Sequence, residues 1–287
     1  MTIGIAGTGR LAQALGRLLS ARGEAVAAVA GRNAAHAADA AAFIGGGALG
    51  VRIAELPERA ERIVIAVSDD AVAAVARELT EAGMRSGLAL HTCGALGPEA
   101  LSALARAGVS CGVLHPLQTI ASPEQGVSDL PGCAFAISGD AEAAAWAERI
   151  CTLLDGVPLR VAPDRMALYH AAAVMASNCV TGLIDAAVIL MEAAGIERNT
   201  ALGALGPLVR ASSENAAALG PEKALTGPIR RGDVETVHRH LAALRAAPVS
   251  VGELYRAASL HLVELARRSG LAEAKAREIE ALLRQGR

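Results

Sequence analysis

The sequence contains very few lysines and very few aromatic residues. Of 27 basic residues in 287, only Lys223 and Lys275 are lysines, and aromatic residues make up 2% of the chain. A reaction that needs a catalytic lysine therefore has two candidate positions. The formal net charge of −2 also lacks the basic excess of nucleic-acid-binding proteins, so we expect no nucleic-acid partner.

The five cysteines lack the spacing of a metal site or a disulfide framework. They lie far apart, are odd in number and form no CxxC pair, so zinc is not expected. Free thiols in a reducing compartment are the simplest interpretation. The N-terminal residues also lack the charged and apolar regions of a signal peptide. We therefore predict a cytoplasmic protein without a metal ion.

One segment raises the question of membrane insertion. Residues 166–184 contain no Asp, Glu, Lys or Arg. An uncharged segment of this length is long enough to form a membrane-spanning helix. Alanine predominates over leucine, however, and four polar residues interrupt the segment: His170, Ser177, Asn178 and Thr181. We predict instead a helix buried in a two-domain protein, and no membrane partner.

Short apolar runs alternate with amphipathic segments over the first half of the chain. The predicted strands are Ile3–Ala6, Ala25–Ala30, Ile63–Val67, Leu88–His91, Val109–Leu114 and Ala134–Ile137. The predicted helices are Leu11–Ala21, Ala34–Phe43, Asp70–Ala82 and Pro98–Ala107. This alternation indicates a mostly parallel sheet. The sequence therefore predicts an α/β Rossmann-type domain over residues 1–160 and an all-helical domain over residues 161–287.

The first strand leads into a dinucleotide-binding pattern, GxGxxA, at Gly7–Ala12. Gly7 permits a tight turn, Gly9 lets the backbone approach a pyrophosphate, and Ala12 allows close helix packing. The N-terminus of the following helix favours the phosphate charge. Because the motif follows a strand and opens a helix, we predict that the cofactor is bound by Gly7, Thr8, Gly9, Arg10 and Leu11.

The end of the second predicted strand bears on which dinucleotide binds. NAD-binding proteins usually carry an Asp or Glu there, whereas this chain has Gly31-Arg32-Asn33. A guanidinium suits a 2′-phosphate, so Arg32 favours NADP; a solvated loop arginine is the alternative. Ser68 and Asp69, after the third strand, join the predicted cofactor site, although capping of the next helix is the simpler role for either.

Two histidines follow strands at the sheet edge where α/β proteins bind ligands, His91 and His115. Imidazole exchanges protons near neutral pH, so His115 is a catalytic candidate. Hydrogen bonding to a backbone carbonyl is the alternative, and for His91 it is the favoured one.

The charge-free segment carries a narrow polar stripe if it forms one continuous helix. At 100° per residue, a single arc of about 100° contains His170, Ser177, Asn178, Thr181, Asp185 and Glu192. Tyr169 falls outside this arc. Burying such a stripe without partners is costly, so we predict that His170 and Asn178 act on a substrate and that Ser177 and Thr181 bind it. A lightly exposed surface stripe is the alternative.

A loop is predicted over Leu225–Asp233, with two adjacent arginines. Arg230 and Arg231 suit a substrate carboxylate, because guanidinium binds carboxylate in a bidentate geometry. A cap on the next helix is an equal alternative for Asp233.

Together these motifs resemble a group of bacterial Rossmann-like proteins with a helical C-terminal domain of unknown function. The segments that carry the resemblance are Ile3–Ala12, Val67–Asp70, His91–Gly94, His115–Gln118, Tyr169–Ala172 with Asn178, and Leu225–Asp233. The group is similar to a wider clan of pyrroline-5-carboxylate reductases, ketopantoate reductases, prephenate dehydrogenases and 6-phosphogluconate-type dehydrogenases. The resemblance implies an NADP-linked oxidoreductase with a cleft between its domains and a homodimer formed through the helical domain.

The resemblance also bears on the proton donor. Prephenate dehydrogenases similarly carry a His-Pro pair at a strand end, and that histidine is catalytic, which implies this role for His115. The ketopantoate and hydroxyacid enzymes use a lysine early on the long helix, but Arg165–His170 contains none. His115 or His170 therefore remains as the proton donor, with Asn178 suited to orient a substrate.

These expectations lead to hydride transfer between NADP(H) and a small carboxylated substrate with a C=O or C=N bond. A ketopantoate-type 2-oxo acid comes first on the resemblance alone, and a cyclic imine of the pyrroline-5-carboxylate type comes second. An NADP-binding sensor or assembly protein without turnover is the alternative. A methyltransferase is less favoured, because its second strand should end in an acid that binds ribose hydroxyls.

Overall fold

A computed structural model describes residues 1–285. The chain divides by its contacts into two compact units: unit 1 is Met1–Ser177, and unit 2 begins at Asn178. The sequence placed a domain boundary after residue 160, where the strand patterns cease. Unit 1 therefore keeps one helix beyond the predicted boundary.

Unit 1 contains one eight-stranded sheet. Its strands are β1 (Ile3–Ala6), β2 (Val26–Ala30), β3 (Leu49–Val51), β4 (Arg62–Ile65), β5 (Leu88–His91), β6 (Ser110–Pro116), β7 (Ala134–Gly139) and β8 (Val157–Arg160). The strand order is β3-β2-β1-β4-β5-β6-β7-β8, and all neighbouring strands are parallel except β6 and β7. The predicted mostly parallel sheet is confirmed. The carboxyl ends of β1, β2, β4, β5 and β6 meet at one edge.

Helices cover both faces of this sheet. They are α1 (Arg10–Ala21), α2 (Ala34–Ile44), α3 (Val72–Glu81), α4 (Ser102–Arg106), α5 (Pro123–Asp129), α6 (Ala141–Leu153) and α7 (Met166–Ala176). Short 3-10 turns occupy Ile53–Glu58, Asp69–Ala71, Pro98–Leu101 and Pro163–Arg165. Alternate residues of β4 point to opposite faces: Val64 packs with Leu15 and Trp146, whereas Ile63 packs with Leu79.

The two strands absent from the sequence prediction are the edge strands of the sheet. β3 is three residues long and largely exposed, and β8 contains Pro158. Edge strands bury little surface and tolerate proline, so they lack the continuous apolar runs that identify the central strands. Helices α5 and α6 were also not predicted.

Unit 2 is helical throughout its described residues, as the sequence predicted. Its helices are α8 (Asn178–Ala193), α9 (Arg198–Leu219), α10 (Pro221–Ala224), α11 (Gly227–Arg231), α12 (Val234–Ala243), α13 (Val249–Arg268) and α14 (Glu273–Arg284), with a 3-10 turn at Leu244–Ala246. A core of Val237, Val263, Ala266 and Ile279 joins α12, α13 and α14.

The apolar segment that raised the membrane question differs from its prediction in two ways. Within residues 1–285, Pro163–Ala193 is one stretch long and apolar enough to cross a membrane by length and composition, with a mean hydropathy of 1.8. Only 6% of an 18-residue window in it is buried, so the prediction of a buried helix is wrong for a single chain. The helix is also interrupted at Ser177 (φ −127°, ψ −75°), whose hydroxyl donates to Ala173 O at 2.8 Å.

Candidate active site

A cavity of about 480 Å³ lies at the carboxyl ends of β1, β2 and β4. We call it the unit 1 cavity. Its lining includes most of the cofactor residues predicted from the sequence: Gly7, Thr8, Gly9, Arg10, Leu11, Arg32 and Ser68. Asp69 is not among the lining residues, whereas Thr92, which follows β5, is.

The two glycines of the GxGxxA pattern serve different purposes. Gly7 has φ +130°, and an added Cβ would lie 2.1 Å from Ala66 O, so no side chain fits there. Gly9 precedes α1 with φ −76°, and an added Cβ would meet no atom within 4 Å. Its Cα therefore faces open space in the cavity. Gln13 Nε2 donates to Thr8 O at 2.9 Å and holds the turn between the glycines. The turn fits a pyrophosphate, because backbone amides are accessible at the start of a helix.

The end of β2 presents a cation to the unit 1 cavity. Arg32 is exposed and lines the cavity. Asn33 is occupied elsewhere: its Oδ1 accepts hydrogen bonds from Ala35 N (2.8 Å) and His36 N (3.2 Å) and caps α2. The one carboxylate among the lining residues is Glu78, on α3. The position where NAD-binding proteins carry an acid thus has a guanidinium.

Ser68 and Asp69 have separate surroundings. Ser68 precedes the turn Asp69–Ala71, but its hydroxyl makes no capping hydrogen bond, so the helix-capping alternative is wrong for this side chain. Asp69 lies beside Cys93. Burial, together with a hydrogen bond from the thiol to Asp69, raises the pKa of Cys93 well above its usual value.

His91 is a structural residue. Its side chain is fully buried, Nε2 lies 2.9 Å from Gly97 O, and Nδ1 accepts from Cys93 N at 3.2 Å. These two contacts require a neutral ring with the proton on Nε2. Burial lowers the pKa of His91 and favours the same form. The alternative of hydrogen bonding to a backbone carbonyl is confirmed.

His115, on β6, lies at the centre of a polar cluster with two residues of α7. Its Nδ1 is 3.0 Å from the hydroxyl of Tyr169, and the two rings meet edge to face with centroids 5.6 Å apart. The ring of His170 meets His115 at 85°, with centroids 5.8 Å apart. The structure thus brings together two predicted catalytic candidates, His115 and His170, and adds Tyr169.

Gly94 forms the wall behind this cluster. A Cβ at Gly94 would lie 2.6 Å from His170 Cδ2 and 2.7 Å from His115 Nε2. Both imidazoles therefore lie directly against the backbone of residue 94, with Nε2 of His115 on that side. Because Thr92 lines the unit 1 cavity, the short segment Thr92–Gly94 connects the cavity to the two histidines.

Burial fixes the protonation states of the His115–Tyr169 pair. Burial lowers the pKa of His115 to about 4, an effect increased by His170 and opposed by Asp69. Burial raises the pKa of Tyr169 to about 12. At neutral pH the pair is a phenol hydrogen-bonded to a neutral imidazole. Such an imidazole can donate one hydrogen bond or accept a proton, but it does not hold a second proton in reserve.

Tyr169 was missed by the sequence analysis. Adjacent helical residues point 100° apart, so Tyr169 falls outside the arc that contains His170. Two such residues can still contact one ring when it lies over the helix between them. Hydrophobic periodicity does not predict this contact, because the contact depends on how α7 is rotated against β6.

The predicted polar stripe is not a single surface. The interruption at Ser177 separates α7 from α8, so a helical projection across it does not hold. Asp185 and Glu192 form ion pairs with Arg198, each at 3.3 Å. Asn178 begins α8 and Thr181 lies one turn later. The roles of Ser177, Asn178 and Thr181 remain predictions.

The motif Leu225–Asp233 is more ordered than predicted. The prediction of a loop is wrong over Gly227–Arg231, which form α11. Asp233 caps α12, with Oδ1 accepting from Thr236 N at 3.0 Å, so the capping alternative is confirmed. Arg230 and Arg231 line a cavity within unit 2.

Other chemistry is limited in the part of the chain described. All five cysteines are free thiols. No cluster of three or more His, Cys, Asp and Glu side chains within residues 1–285 is arranged to hold a metal ion.

Two families match successive parts of the chain. Residues 2–88 match the family described as NADP oxidoreductase, coenzyme F420-dependent. Residues 133–262 match a domain of unknown function, DUF2520. The predicted resemblance is confirmed. The first match lies within unit 1, whereas the second begins in unit 1, just before β7, and continues into unit 2 as far as residue 262.

Solved structures share this fold over the whole chain. A protein of Bacteroides fragilis described as an NADP oxidoreductase is 23% identical, with a TM-score of 0.71 and coverage of 98% of each chain. A Thermotoga maritima protein is 22% identical, with a TM-score of 0.72 and coverage of 93% of this chain and 98% of that one. The reductive aminase of Aspergillus terreus, solved with NADPH and ethyl-5-oxohexanoate, is 18% identical, with a TM-score of 0.67 and coverage of 98% and 97%. No curated protein sequence matches the chain.

Proposed function

We propose that this protein is an NADP(H)-dependent oxidoreductase acting on a small carboxylated substrate with a C=O or C=N bond. The observation that carries the proposal is the segment Thr92–Gly94, which lines the unit 1 cavity at one end and touches His115 and His170 at the other. A reacting carbon near Thr92 would thus have proton-exchanging groups beside it.

The unit 1 cavity is the proposed cofactor site. NADP(H), when bound, supplies or accepts the hydride. The turn Gly7–Gly9 and the start of α1 hold the pyrophosphate, because the N-terminus of a helix offers unpaired backbone N–H groups and the space beside Gly9 is open. Arg32 binds the 2′-phosphate through a charge-assisted hydrogen bond. The family matched by residues 2–88 is described as an NADP oxidoreductase, which supports this choice.

The proton is handled by the His115 cluster. With a pKa of about 4, His115 is neutral at pH 7, so it serves as a hydrogen-bond donor to the reacting oxygen or nitrogen, or as a base in the oxidative direction. Tyr169 is a positioning residue, since its hydroxyl holds Nδ1 of His115. His170, which is partly exposed, exchanges the proton with solvent.

The remaining predicted residues have roles at the substrate. Asn178 stabilises the developing negative charge on the substrate oxygen, and Ser177 and Thr181 bind the substrate. Arg230 or Arg231 binds the substrate carboxylate. A ketopantoate-type 2-oxo acid is the first candidate substrate. A cyclic imine of the pyrroline-5-carboxylate type is the second, and the shared fold of the A. terreus reductive aminase supports including C=N substrates.

The test is NADPH consumption with a panel of 2-oxo acids and cyclic imines. We expect steady turnover with at least one member, and loss of turnover in His115→Ala with the dissociation constant for NADPH unchanged. If no member is reduced while NADPH raises the melting temperature, the protein is an NADP-binding sensor or assembly protein without turnover, and the proposed activity is wrong.

We also propose that the protein is a homodimer formed through its helices. Large apolar side chains are exposed along α7 to α9 of the single chain, among them Leu168 (69% exposed), Met175 (67%) and Leu208 (62%). Apolar surface of this extent on helices indicates a partner. A second copy of the chain presents the same apolar side chains and would cover them.

A further inference from the structure

Unit 2 contains a second cavity, of about 690 Å³, with basic side chains from two segments. We call it the basic cavity. Arg230 and Arg231 reach it from α11, and Lys275 reaches it from α14. Lys275 is one of only two lysines in the chain. The volume lies within the range of small-molecule sites, about 300–1,000 Å³.

The positive charge of the basic cavity is only partly neutralised by the protein. Lys275 Nζ pairs with Glu278 at 2.9 Å, and this pair is half-exposed. Within residues 1–285, neither Arg230 nor Arg231 forms an ion pair. Asp233 is the neighbouring carboxylate, but its oxygens accept from Thr236 N (3.0 Å) and Thr236 Oγ1 (2.8 Å).

Other arginines near the basic cavity are paired, so the two in α11 differ from their surroundings. Arg268 pairs with Glu222 at 3.1 Å. Arg267 pairs with Glu264, Glu273 and Glu280. Arg230 and Arg231 differ from these paired arginines, since Asp233 interacts with Arg231 only beyond ion-pair distance.

Backbone packing holds the three cations together. Gly232 has φ +67°, and an added Cβ would lie 3.1 Å from both Leu271 Cδ1 and Lys275 Cβ. The chain that follows Arg231 thus contacts the stem of Lys275 directly. Ile229, in the same short helix, is buried in the unit 2 core. The backbone segments that carry the three basic residues are consequently fixed by packing within unit 2.

We propose that the basic cavity binds the anionic part of a small molecule that carries two negative charges, a phosphate monoester or a dicarboxylate. A single carboxylate is satisfied by one guanidinium, whereas two guanidinium groups and an ammonium match a doubly charged group. This proposal rests on the proposed function only in assigning the anion to the substrate. Binding of the anion requires neither hydride transfer nor NADPH.

The proposal is tested by calorimetric titration of the full-length protein with inorganic phosphate, malonate and acetate at pH 7.5 and matched ionic strength. We expect phosphate or malonate to bind at least tenfold more tightly than acetate, and the tighter of the two identifies the source of the dianion. Lys275→Gln and Arg231→Gln should each weaken that binding about tenfold or more, because each removes a charge-assisted hydrogen bond.

Arg245→Gln is the matched control. Arg245 is an exposed arginine of unit 2 outside the basic cavity, in the turn Leu244–Ala246. We expect it to leave phosphate and malonate binding unchanged. Any phosphate bound in the unit 1 cavity would be insensitive to Lys275→Gln, so this variant separates the two sites. Melting temperatures equal to that of the wild type exclude unfolding as the cause.

Two outcomes would overturn the proposal. Acetate could bind as tightly as the dianions, or Arg245→Gln could weaken binding as much as Lys275→Gln; either result means non-specific attraction to a basic surface. NADPH turnover without dianion binding would reject this proposal and leave the proposed function intact. Dianion binding without turnover on any substrate would reject the proposed function and leave this proposal intact.

Discussion

Nδ1 of His115 and the hydroxyl of Tyr169 lie 3.0 Å apart, joining β6 to α7. The opposite nitrogen of the ring, Nε2, faces Gly94. Because both groups are neutral at pH 7, with pKa values of about 4 and about 12, this hydrogen bond sets which nitrogen of His115 is available beside the segment Thr92–Gly94. The tyrosine hydroxyl therefore orients the ring of His115.

Tyr169→Phe should lower kcat about tenfold and leave the dissociation constant for NADPH unchanged. The substitution removes a hydrogen bond of about 0.5–1.5 kcal/mol that holds the imidazole, so His115 would sample both tautomers. Steady-state kinetics measures the decrease in kcat. Nitrogen-15 NMR of His115 detects the tautomers without requiring a substrate, and we expect a mixture of both in Tyr169→Phe and a single tautomer in the wild type.

Tyr255→Phe provides the control for Tyr169→Phe. Tyr255 makes the same kind of contact in unit 2, with its hydroxyl 2.9 Å from His240 Nδ1 and the ring centroids 5.9 Å apart. We expect its loss to leave kcat unchanged. Equal decreases in kcat for the two variants would mean that Tyr169 contributes only to stability.

The free energy of unfolding should decrease as the pH falls from about 6.5 to about 4. Burial lowers the pKa of His115 below that of an exposed histidine, so the unfolded chain binds more protons in this range and is favoured. His91 acts in the same direction. The stability contributed by the neutral rings is fully present above the unfolded pKa and is lost as the pH falls toward the folded pKa.

Urea denaturation of wild type and His115→Asn at pH 7 and pH 5 measures this dependence. We expect a smaller decrease between the two pH values in His115→Asn than in the wild type. His36→Asn, at an exposed position, is the control and should retain the wild-type decrease. An unchanged pH dependence in His115→Asn would show that folding does not lower the pKa of His115.

The elements that could be predicted from sequence are those whose residues are buried on both sides. β1 is a continuous apolar run, as are residues 63–65 of β4 and residues 88–90 of β5. Gly7 and Gly9 identify the turn after β1 as a dinucleotide-binding pattern. The site at the sheet edge follows from strand direction, so His115 could be selected as a candidate. Its partner could not be selected, because the contact with Tyr169 depends on the rotation of a helix distant in sequence.

The break in the long helix could not be predicted either. Hydrophobic periodicity continues across Ser177, and the interruption arises from local backbone geometry that the residue types do not require. A projection onto one continuous helix therefore placed Asp185 and Glu192 on the same polar stripe as His170. The structure instead pairs both carboxylates with Arg198.

Gly9→Ala should abolish NADPH binding with little loss of stability. A methyl group at residue 9 meets no protein atom within 4 Å, so it would occupy only the space proposed for the pyrophosphate. The cost to the folded protein is limited to a poorer N-cap of α1, about 1 kcal/mol or less. Isothermal titration with NADPH and thermal unfolding of the free protein measure the two quantities.

Gly7→Ala is the companion variant, and it should unfold the protein. Its methyl group would lie 2.1 Å from Ala66 O, at a φ of +130° that residues with a side chain rarely adopt. NADPH binding retained by Gly9→Ala would place the pyrophosphate elsewhere, since the protein around residue 9 would be undisturbed.

Arg32→Ala should weaken NADPH binding about tenfold to a hundredfold and leave NADH binding nearly unchanged. A hydrogen bond to a charged group contributes about 1.5–3 kcal/mol, and NADH lacks the phosphate that would accept it. Arg77→Ala is the control, because Arg77 is exposed on α3 and does not line the unit 1 cavity. Equal affinities of the wild type for NADPH and NADH would reject the proposed role of Arg32.

The exposed apolar helices predict a dimer of twice 29.0 kDa by light scattering without detergent. Met175→Arg and Leu208→Arg should each reduce the mass toward that of one chain, because a charge in a buried apolar interface is costly. Leu49→Arg, at an exposed position on the edge strand β3, should leave the mass unchanged. A wild-type mass of 29.0 kDa would show that no second copy of the chain covers these helices, and would reject the dimer. A requirement for detergent would indicate instead that Pro163–Ala193 binds lipid.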